Sequence, residues 1–288
     1  MEENPQRDLF SPILSSDLAM GPFLLTARLF TTPIFAFYIL DEIRTTQAIS
    51  ALSYLAMAIQ VVGVALVALG YKTRFAALLL AAFCIITTLV FNGSAGATGL
   101  FMTHILKDLA VAGGFLFMFA YGPGPLSLDG HEGVNRSKRS FFSPILSNTV
   151  VTGLLLCAGR ILSTVVFFYY GTSKILHTSR MQAYMMRHNS HVPTNLIYLA
   201  ILTQIVPPAL VLLGYKTRYG ALALSGFCII ATSLFHTDFS NHAEAEQFLL
   251  DFAMAGGLLF MFAYGPGPFS LDASLRPQPY VEKDLDIT

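Results

Sequence analysis

Long apolar runs, separated by short polar segments, cover most of this chain. A helix needs about 20 mostly apolar residues to cross the hydrocarbon core of a bilayer, and most of the runs approach that length. The pattern therefore predicts eight transmembrane helices and an all-α integral membrane fold. The runs lie at about 18–40, 50–69, 75–91, 102–121, 150–170, 194–213, 219–235 and 247–264.

An internal repeat organises these eight runs into two copies of four. Three short segments of the first half return almost unchanged in the second half: 70–74 as 214–218, 117–125 as 260–268, and 127–129 as 270–272. Four is an even number of spans, so both copies enter the membrane in the same orientation. The repeat therefore predicts two parallel four-helix bundles, related by a pseudo-two-fold axis along the membrane normal.

The repeat also divides the chain into segments. We expect a first repeat at 1–130, a cytoplasmic linker at 131–148, a second repeat at 149–273 and a tail at 274–288. The offset between the copies rises from 132 at Arg28 and Arg160 to 144 at the second span. Twelve residues are therefore inserted in the second copy, in the stretch around 171–190.

The distribution of positive charge predicts the orientation. Cytoplasmic loops carry an excess of Lys and Arg, and one side of the predicted bundle holds most of them, together with both termini. Both termini are therefore expected in the cytoplasm. The acidic start and the lack of a small-residue cleavage site predict no signal peptide. The positive side holds Arg7, Lys72, Arg74, Arg136, Lys138, Arg139, Lys216, Arg218, Arg276 and Lys283.

Composition narrows the functional classes. Hydrophobic residues make up 54% of the chain and charged residues 12%, whereas a soluble domain carries about 25% charge. The formal net charge of zero argues against a nucleic-acid partner. The three cysteines include no Cys-x-x-Cys pair, and the histidines show no metal-ligand spacing, so we predict neither a thiol–disulfide shuttle nor a metal site.

The ordered set of polar and turn elements resembles a known family. It comprises an early intramembrane Arg, Gly171-x-x-Lys174, a Gly-Tyr-Lys-Thr-Arg turn, Phe235-His236, a small-residue run at 253–257 and Gly-Pro-Gly before Ser-Leu-Asp. Together these elements resemble the DoxX family of four-span membrane proteins, here in tandem over about 7–130 and 140–273. The resemblance implies a bacterial inner-membrane protein. It also implies a link to redox chemistry, since relatives include a subunit of a thiosulfate:quinone oxidoreductase.

The first copy departs from the family pattern. Glu42 stands where the second copy has Lys174, and Asn92 where it has His236. These differences predict that the second repeat holds any functional site.

Ionisable residues inside a membrane are costly and are candidates for function. Arg160 lies near the middle of its predicted span, and four further polar residues are expected on the non-cytoplasmic side. Structural alternatives are an Arg that joins helices through carbonyl groups, and interfacial Tyr and Lys side chains. The candidate ligand-binding residues are Arg160, Tyr170, Lys174, His236 and Asp251, and the secondary candidates are Arg28, His104, Lys107 and Asp108.

Three functional hypotheses follow. The first is a redox-linked membrane subunit that handles a quinone or a small sulfur compound; since the sequence has no haem, flavin or iron–sulfur motif, its electrons come from a soluble redox partner. The second is a small-solute transporter, which a helix broken by Gly or Pro in mid-span would favour. The third is a non-catalytic membrane scaffold. Membrane lipid surrounds the protein in all three, and whether it is an enzyme stays open.

Overall fold

The computed structural model describes residues 10, 14–45, 50–92, 99–131, 141–188 and 191–275, and their regular structure is helical. Parts of the predicted linker and tail, residues 132–140 and 276–288, lie outside this description. In chain order the helices are α1 (Asp17–Thr31), α2 (Pro33–Thr45), α3 (Ala51–Leu69), α4 (Thr73–Asn92), α5 (Gly99–Tyr121), α6 (Leu128–His131), α7 (Ser143–Leu146), α8 (Thr149–Leu176), α9 (Thr178–His188), α10 (Leu196–Leu213), α11 (Thr217–Phe235), α12 (His242–Tyr264) and α13 (Leu271–Ser274).

The helices confirm an all-α integral membrane protein. Within the described ranges, seven helical segments are long and apolar enough to cross a membrane, and α1 and α2 together form the first of them. A shorter apolar helix, Thr73–Leu89, lies where the third span is expected. Eight spans and cytoplasmic termini therefore stay predictions.

The two repeats are interlocked rather than separate. The first span of the second repeat, α8, packs along α5 of the first repeat, and α1 packs along α12 of the second. The residues that precede these two spans also pack against the other repeat. Phe10 lies edge-on to Phe262, with ring centroids 5.0 Å apart, and Phe142 lies edge-on to Phe119 at 5.1 Å. The first span of each repeat thus packs against the fourth span of the other repeat, and α8 also packs along α10 of its own repeat.

Helices α5 and α12 cross on the pseudo-two-fold axis. A Cβ atom built on Gly114 would lie 2.5 Å from the Cα atom of Gly257, which shows that the two backbones touch. Further along, the repeat-equivalent rings of Tyr121 and Tyr264 stack with centroids 4.4 Å apart and planes 2° from parallel. Small residues allow such close approach in lipid. Gly114 and Gly257 serve this crossing, whereas the neighbouring Gly113 and Gly256 lie against the backbones of α8 and α1.

The first span is kinked at Thr32, just before Pro33. Proline lacks the N–H group that continues the helical ladder. The backbone of Thr32 nevertheless stays in the right-handed helical region, with φ −90° and ψ −37°. Pro207 and Pro208 lie inside the uninterrupted helix α10. None of these prolines produces the unwound mid-span segment that is typical of transporters.

One end of the molecule, named here the turn end, carries the two Gly-Tyr-Lys-Thr-Arg turns. Gly70 and Gly214 both have φ +68°, a left-handed conformation that favours glycine. At each turn a distant aspartate caps the next helix. The Asp129 carboxylate accepts hydrogen bonds from the backbone N–H groups of Lys72 and Thr73 at 2.9 and 3.0 Å. Asp272 does the same in the second repeat.

We expect Asp129→Ala to lower the free energy of unfolding by about 1–2 kcal/mol, the usual cost of losing an N-cap acceptor. Asp129→Asn keeps one acceptor oxygen and should lose less. Unfolding of the full chain in mixed detergent micelles measures both variants. Equal stability of the Ala variant and the wild type would contradict this role for the carboxylate.

Candidate functional site

The two intramembrane arginines lie at the turn end and bind backbone carbonyl groups. Arg28 is 1% exposed, and its guanidinium donates to the carbonyl oxygens of Val67 at 3.3 Å and of Leu126. Arg160 is 2% exposed and donates to the carbonyl oxygen of Phe269. Leu126 and Phe269 directly follow the two Gly-Pro-Gly-Pro segments. Each arginine therefore ties the first span of its repeat to the loop after the fourth span, and Arg28 also binds the end of α3.

The structure therefore separates Arg160 from the other candidates. Arg160 lies fourteen residues before Lys174 on α8, which is about 21 Å along a helix axis. A helical side chain also points towards the N-terminus of its helix, and a Cβ atom on Gly214 would overlap the Arg160 guanidinium. The structure places Arg160 at the turn end and not beside Lys174 and Asp251, because its side chain follows α8 away from Lys174 and binds the carbonyl oxygen of Phe269.

At the opposite end, named here the cluster end, Lys107 is buried between the two repeats. Its ammonium group is 2.7 Å from an oxygen of Asp251 and also donates to the side-chain oxygen of Gln247. The whole Lys107 residue is 3% exposed and Asp251 is 8% exposed. A buried charge needs a partner of opposite sign, and here the cation comes from α5 while the anion comes from α12.

A second lysine approaches the same place from α8. The Lys174 ammonium group lies 5.2 Å from the centre of the Tyr170 ring, and the Lys107 ammonium group lies 5.7 Å from that same ring. Asp251 also interacts electrostatically with Lys174. We call Lys107, Tyr170, Lys174, Gln247 and Asp251 the basic cluster. It holds two ammonium groups and one carboxylate, so its own charges do not balance.

His236 lies at the rim of the basic cluster. Its Nδ1 atom is 2.6 Å from a carboxylate oxygen of Glu244, in the first turn of α12. Tyr184 connects this rim to the cluster, because it interacts electrostatically with Glu244, Lys107 and Tyr170. Tyr184 belongs to α9, which lies in the stretch that only the second repeat contains. The inserted helix therefore brings Tyr184 within electrostatic range of the basic cluster.

A second group of polar side chains lies beside the first, across the contact of α5 with α12. The Nδ1 atom of His104 is 3.4 Å from a carboxylate oxygen of Glu246. The Tyr38 hydroxyl interacts with the carboxylates of both Glu246 and Asp108. We call Tyr38, His104, Asp108 and Glu246 the acidic cluster.

Both repeats contribute to both clusters, whereas the comparison of the copies predicts a site in the second repeat alone; Lys107 of the first repeat lies in the basic cluster with Asp251. Lys107 and Asp108 are neighbours in sequence and point about 100° apart, which is why they enter different clusters. Tyr38 was missed as a candidate. The repeat could have indicated Tyr38, because it is the equivalent of Tyr170 at the offset of 132.

Known proteins resemble this chain at the level of one repeat. The DoxX family profile matches residues 155–237, and the SURF4 family profile matches residues 22–135. Inner membrane protein YqjF of Escherichia coli (strain K12) is 32% identical over 117 residues, which are 41% of this chain and 88% of that protein. No solved structure matches the chain.

Proposed function

Because this chain belongs to the DoxX family and is a multi-pass inner-membrane protein, we propose that it is a redox-linked membrane subunit. In this proposal the basic cluster binds the head group of a quinone or a small sulfur oxyanion. The electrons come from a soluble partner protein at the membrane surface. The two ligands share one chemistry, since both present electron-rich oxygen atoms to hydrogen-bond donors.

The observation that carries the proposal is the unbalanced charge of the basic cluster. Lys107 is satisfied by Asp251 and Gln247. Among the described residues, the Lys174 ammonium group forms no hydrogen bond or ion pair; it lies over the face of Tyr170 and is attracted at longer range to Asp251. An ammonium group has three donors, so Lys174 retains hydrogen-bonding capacity for a ligand oxygen.

The buried hydroxyl of Thr232, on α11, also favours a ligand beside the basic cluster. Thr232 is fully buried, and its hydroxyl has no hydrogen-bond partner among the described residues. It lies one turn after Cys228, which interacts electrostatically with Asp251 and Lys107. Residues four apart share a helix face, so Thr232 lies on the face of α11 that carries Cys228. Buried polar groups are normally hydrogen-bonded, which favours a polar ligand near Thr232.

The residues present fit a quinone head group. Lys174 would donate to a carbonyl oxygen, and Tyr170 would hold the Lys174 ammonium group in place through its ring. Tyr184, on the inserted helix, would separate the ligand from water. A bound quinone would supply two-electron redox chemistry, and the described residues would bind it and orient it.

We expect Lys174→Met to weaken binding of a radiolabelled short-chain ubiquinone analogue by tenfold or more. A hydrogen bond from a charged donor contributes about 1.5–3 kcal/mol, and about 1.4 kcal/mol corresponds to tenfold in affinity. Equilibrium dialysis with the full chain in phospholipid nanodiscs measures the affinity. Labelled thiosulfate, used in parallel, distinguishes a sulfur oxyanion from a quinone as the ligand.

The matched control is Arg180→Gln, which removes an exposed cation of α9 and leaves the basic cluster intact. This variant should bind as the wild type does. Equal affinity of the wild type and Lys174→Met for both probes would reject the basic cluster as the binding site. A loss of affinity in both variants would indicate non-specific attraction of the probe by positive charge.

A further inference from the structure

We propose that the acidic cluster is a proton-binding site, distinct from the ligand site of the basic cluster. In this site a carboxylate of the Asp108–Glu246 pair takes up one proton and becomes a carboxylic acid. The proton exchanges with water at the cluster end by way of His104. The proposal does not depend on quinone or sulfur chemistry at the basic cluster.

The internal repeat supports the assignment, because both clusters are built around equivalent Tyr and Asp residues but differ in the charges placed around them. Tyr38 and Asp108 are the repeat equivalents of Tyr170 and Asp251. The two lysines have no counterpart on the acidic side: Glu42 stands at the equivalent of Lys174, and Leu250 at the equivalent of Lys107. The same scaffold that brings two ammonium groups to Asp251 therefore leaves Asp108 without one.

The charges around Asp108 do not neutralise two carboxylates. Asp108 and Glu246 interact with each other electrostatically. Lys107 is adjacent in sequence, but its ammonium group is used by Asp251 and Gln247 on the other side of α5. The titratable groups that act on the pair are Tyr38 of α2, Cys84 of α4, His104 and Lys107 of α5, and His242 of α12.

Physical chemistry then favours a bound proton. Asp108 and Glu246 are both partly buried, and two carboxylates that share a site partly withdrawn from water resist ionising together. His104 is the nearest base, and it lies within ion-pair distance of Glu246, so its charge offsets at most one carboxylate. Protonation of the other removes the remaining repulsion. The Tyr38 hydroxyl, which interacts with both carboxylates, can donate to whichever oxygen is left without the proton.

A second, independent observation points to the same place. Thr88 is 4% exposed, and its hydroxyl has no hydrogen-bond partner in the described ranges. It lies one turn after Cys84 on the same face of α4, and Cys84 interacts electrostatically with both Asp108 and Tyr38. A buried, unpartnered hydroxyl on that face is suited to bind a water molecule that relays the proton.

The path to the aqueous phase passes through His104. Its side chain is 35% exposed, whereas that of its partner Glu246 is 16% exposed. A histidine titrates near neutral pH and can pass a proton in either direction. The cluster thus combines an internal acid pair with a half-exposed base at the surface.

Infrared difference spectroscopy of the full chain in nanodiscs tests the proposal. We expect a carbonyl band of a protonated carboxylic acid at neutral pH, which shifts in heavy water and disappears on alkaline titration. The band should be lost in the double variant Asp108→Asn/Glu246→Gln. That variant replaces both carboxyls with amides of similar shape and removes their repulsion, so it should fold. The matched control is Asp238→Asn, an exposed acid of the α11–α12 loop, which should keep the band.

The opposite outcomes would overturn the assignment. A band that persists in the double variant, or that is lost in Asp251→Asn instead, would place the proton elsewhere. A band that disappears when sodium replaces choline at constant pH would make the site a sodium site. Absence of any such band in the wild type at neutral pH would show that both carboxylates are ionised.

Discussion

Lys107→Met is expected to destabilise the protein by about 3–5 kcal/mol, because it leaves the buried carboxylate of Asp251 without its cation. The two groups are 2.7 Å apart, and their side chains are 4% and 12% exposed. They also join the two repeats, since one lies on α5 and the other on α12. Reversible unfolding in mixed detergent micelles measures the change.

The double variant Lys107→Met/Asp251→Leu should recover most of this loss. Replacing a whole buried ion pair with apolar side chains is often neutral or stabilising, whereas removing one partner is not. Lys174→Met is the matched single control in the same cluster. It should change the free energy of unfolding by about 1 kcal/mol or less, because the lost attraction to Asp251 is offset by the lost repulsion from Lys107. A double variant as unstable as Lys107→Met would show that Asp251 is not the group left unpaired.

Gly257→Ala is expected to destabilise the protein by about 3 kcal/mol, at the upper end of the cost of overpacking. The added Cβ atom would lie 2.7 Å from the Cα atom of Gly114. The obstacle is backbone rather than a flexible side chain, so relief requires α5 and α12 to separate. Such a separation would also disturb the stacked pair of Tyr121 and Tyr264. The same unfolding assay measures the loss.

Gly226→Ala is the matched control for this prediction. A Cβ atom at Gly226 meets no atom within 4 Å, and alanine is favoured over glycine inside a helix by about 1 kcal/mol. This variant should therefore be as stable as the wild type or slightly more so. Equal stability of Gly257→Ala and Gly226→Ala would contradict close contact at the crossing.

The glycine turns of the turn end could be predicted from the sequence. Gly70 and Gly214 end their helices as predicted, because a left-handed residue after a helix favours glycine irrespective of distant contacts. The spacing of Ala110 with Gly114 and of Ala253 with Gly257 likewise favours a close helix contact. It did not reveal the partner, since any neighbouring helix could have satisfied it. The structure assigns Gly114 and Gly257 to each other.

The sequence predicted only part of the candidate site. Tyr170, Lys174 and Asp251 do lie together, because each stands near the same end of its predicted span. Arg160 does not join them, since its long side chain follows the helix towards the turn end and binds the carbonyl of Phe269. His236 lies at the rim with Glu244. Comparison of the two copies favoured the second repeat and so underrated Lys107, whose contacts lie across the repeat boundary.

The sequence by itself determined the membrane class, the approximate positions of the long apolar helices, the repeat and the glycine turns. These properties depend on the hydrophobicity of continuous segments and on local backbone preferences, which are encoded residue by residue. Only the tertiary structure decided that α1 and α8 exchange partners between the repeats. It also decided that Lys107 faces Asp251 while Asp108 faces Tyr38. Such pairings depend on which helix faces meet, and apolar faces of similar composition do not distinguish one neighbouring helix from another in lipid.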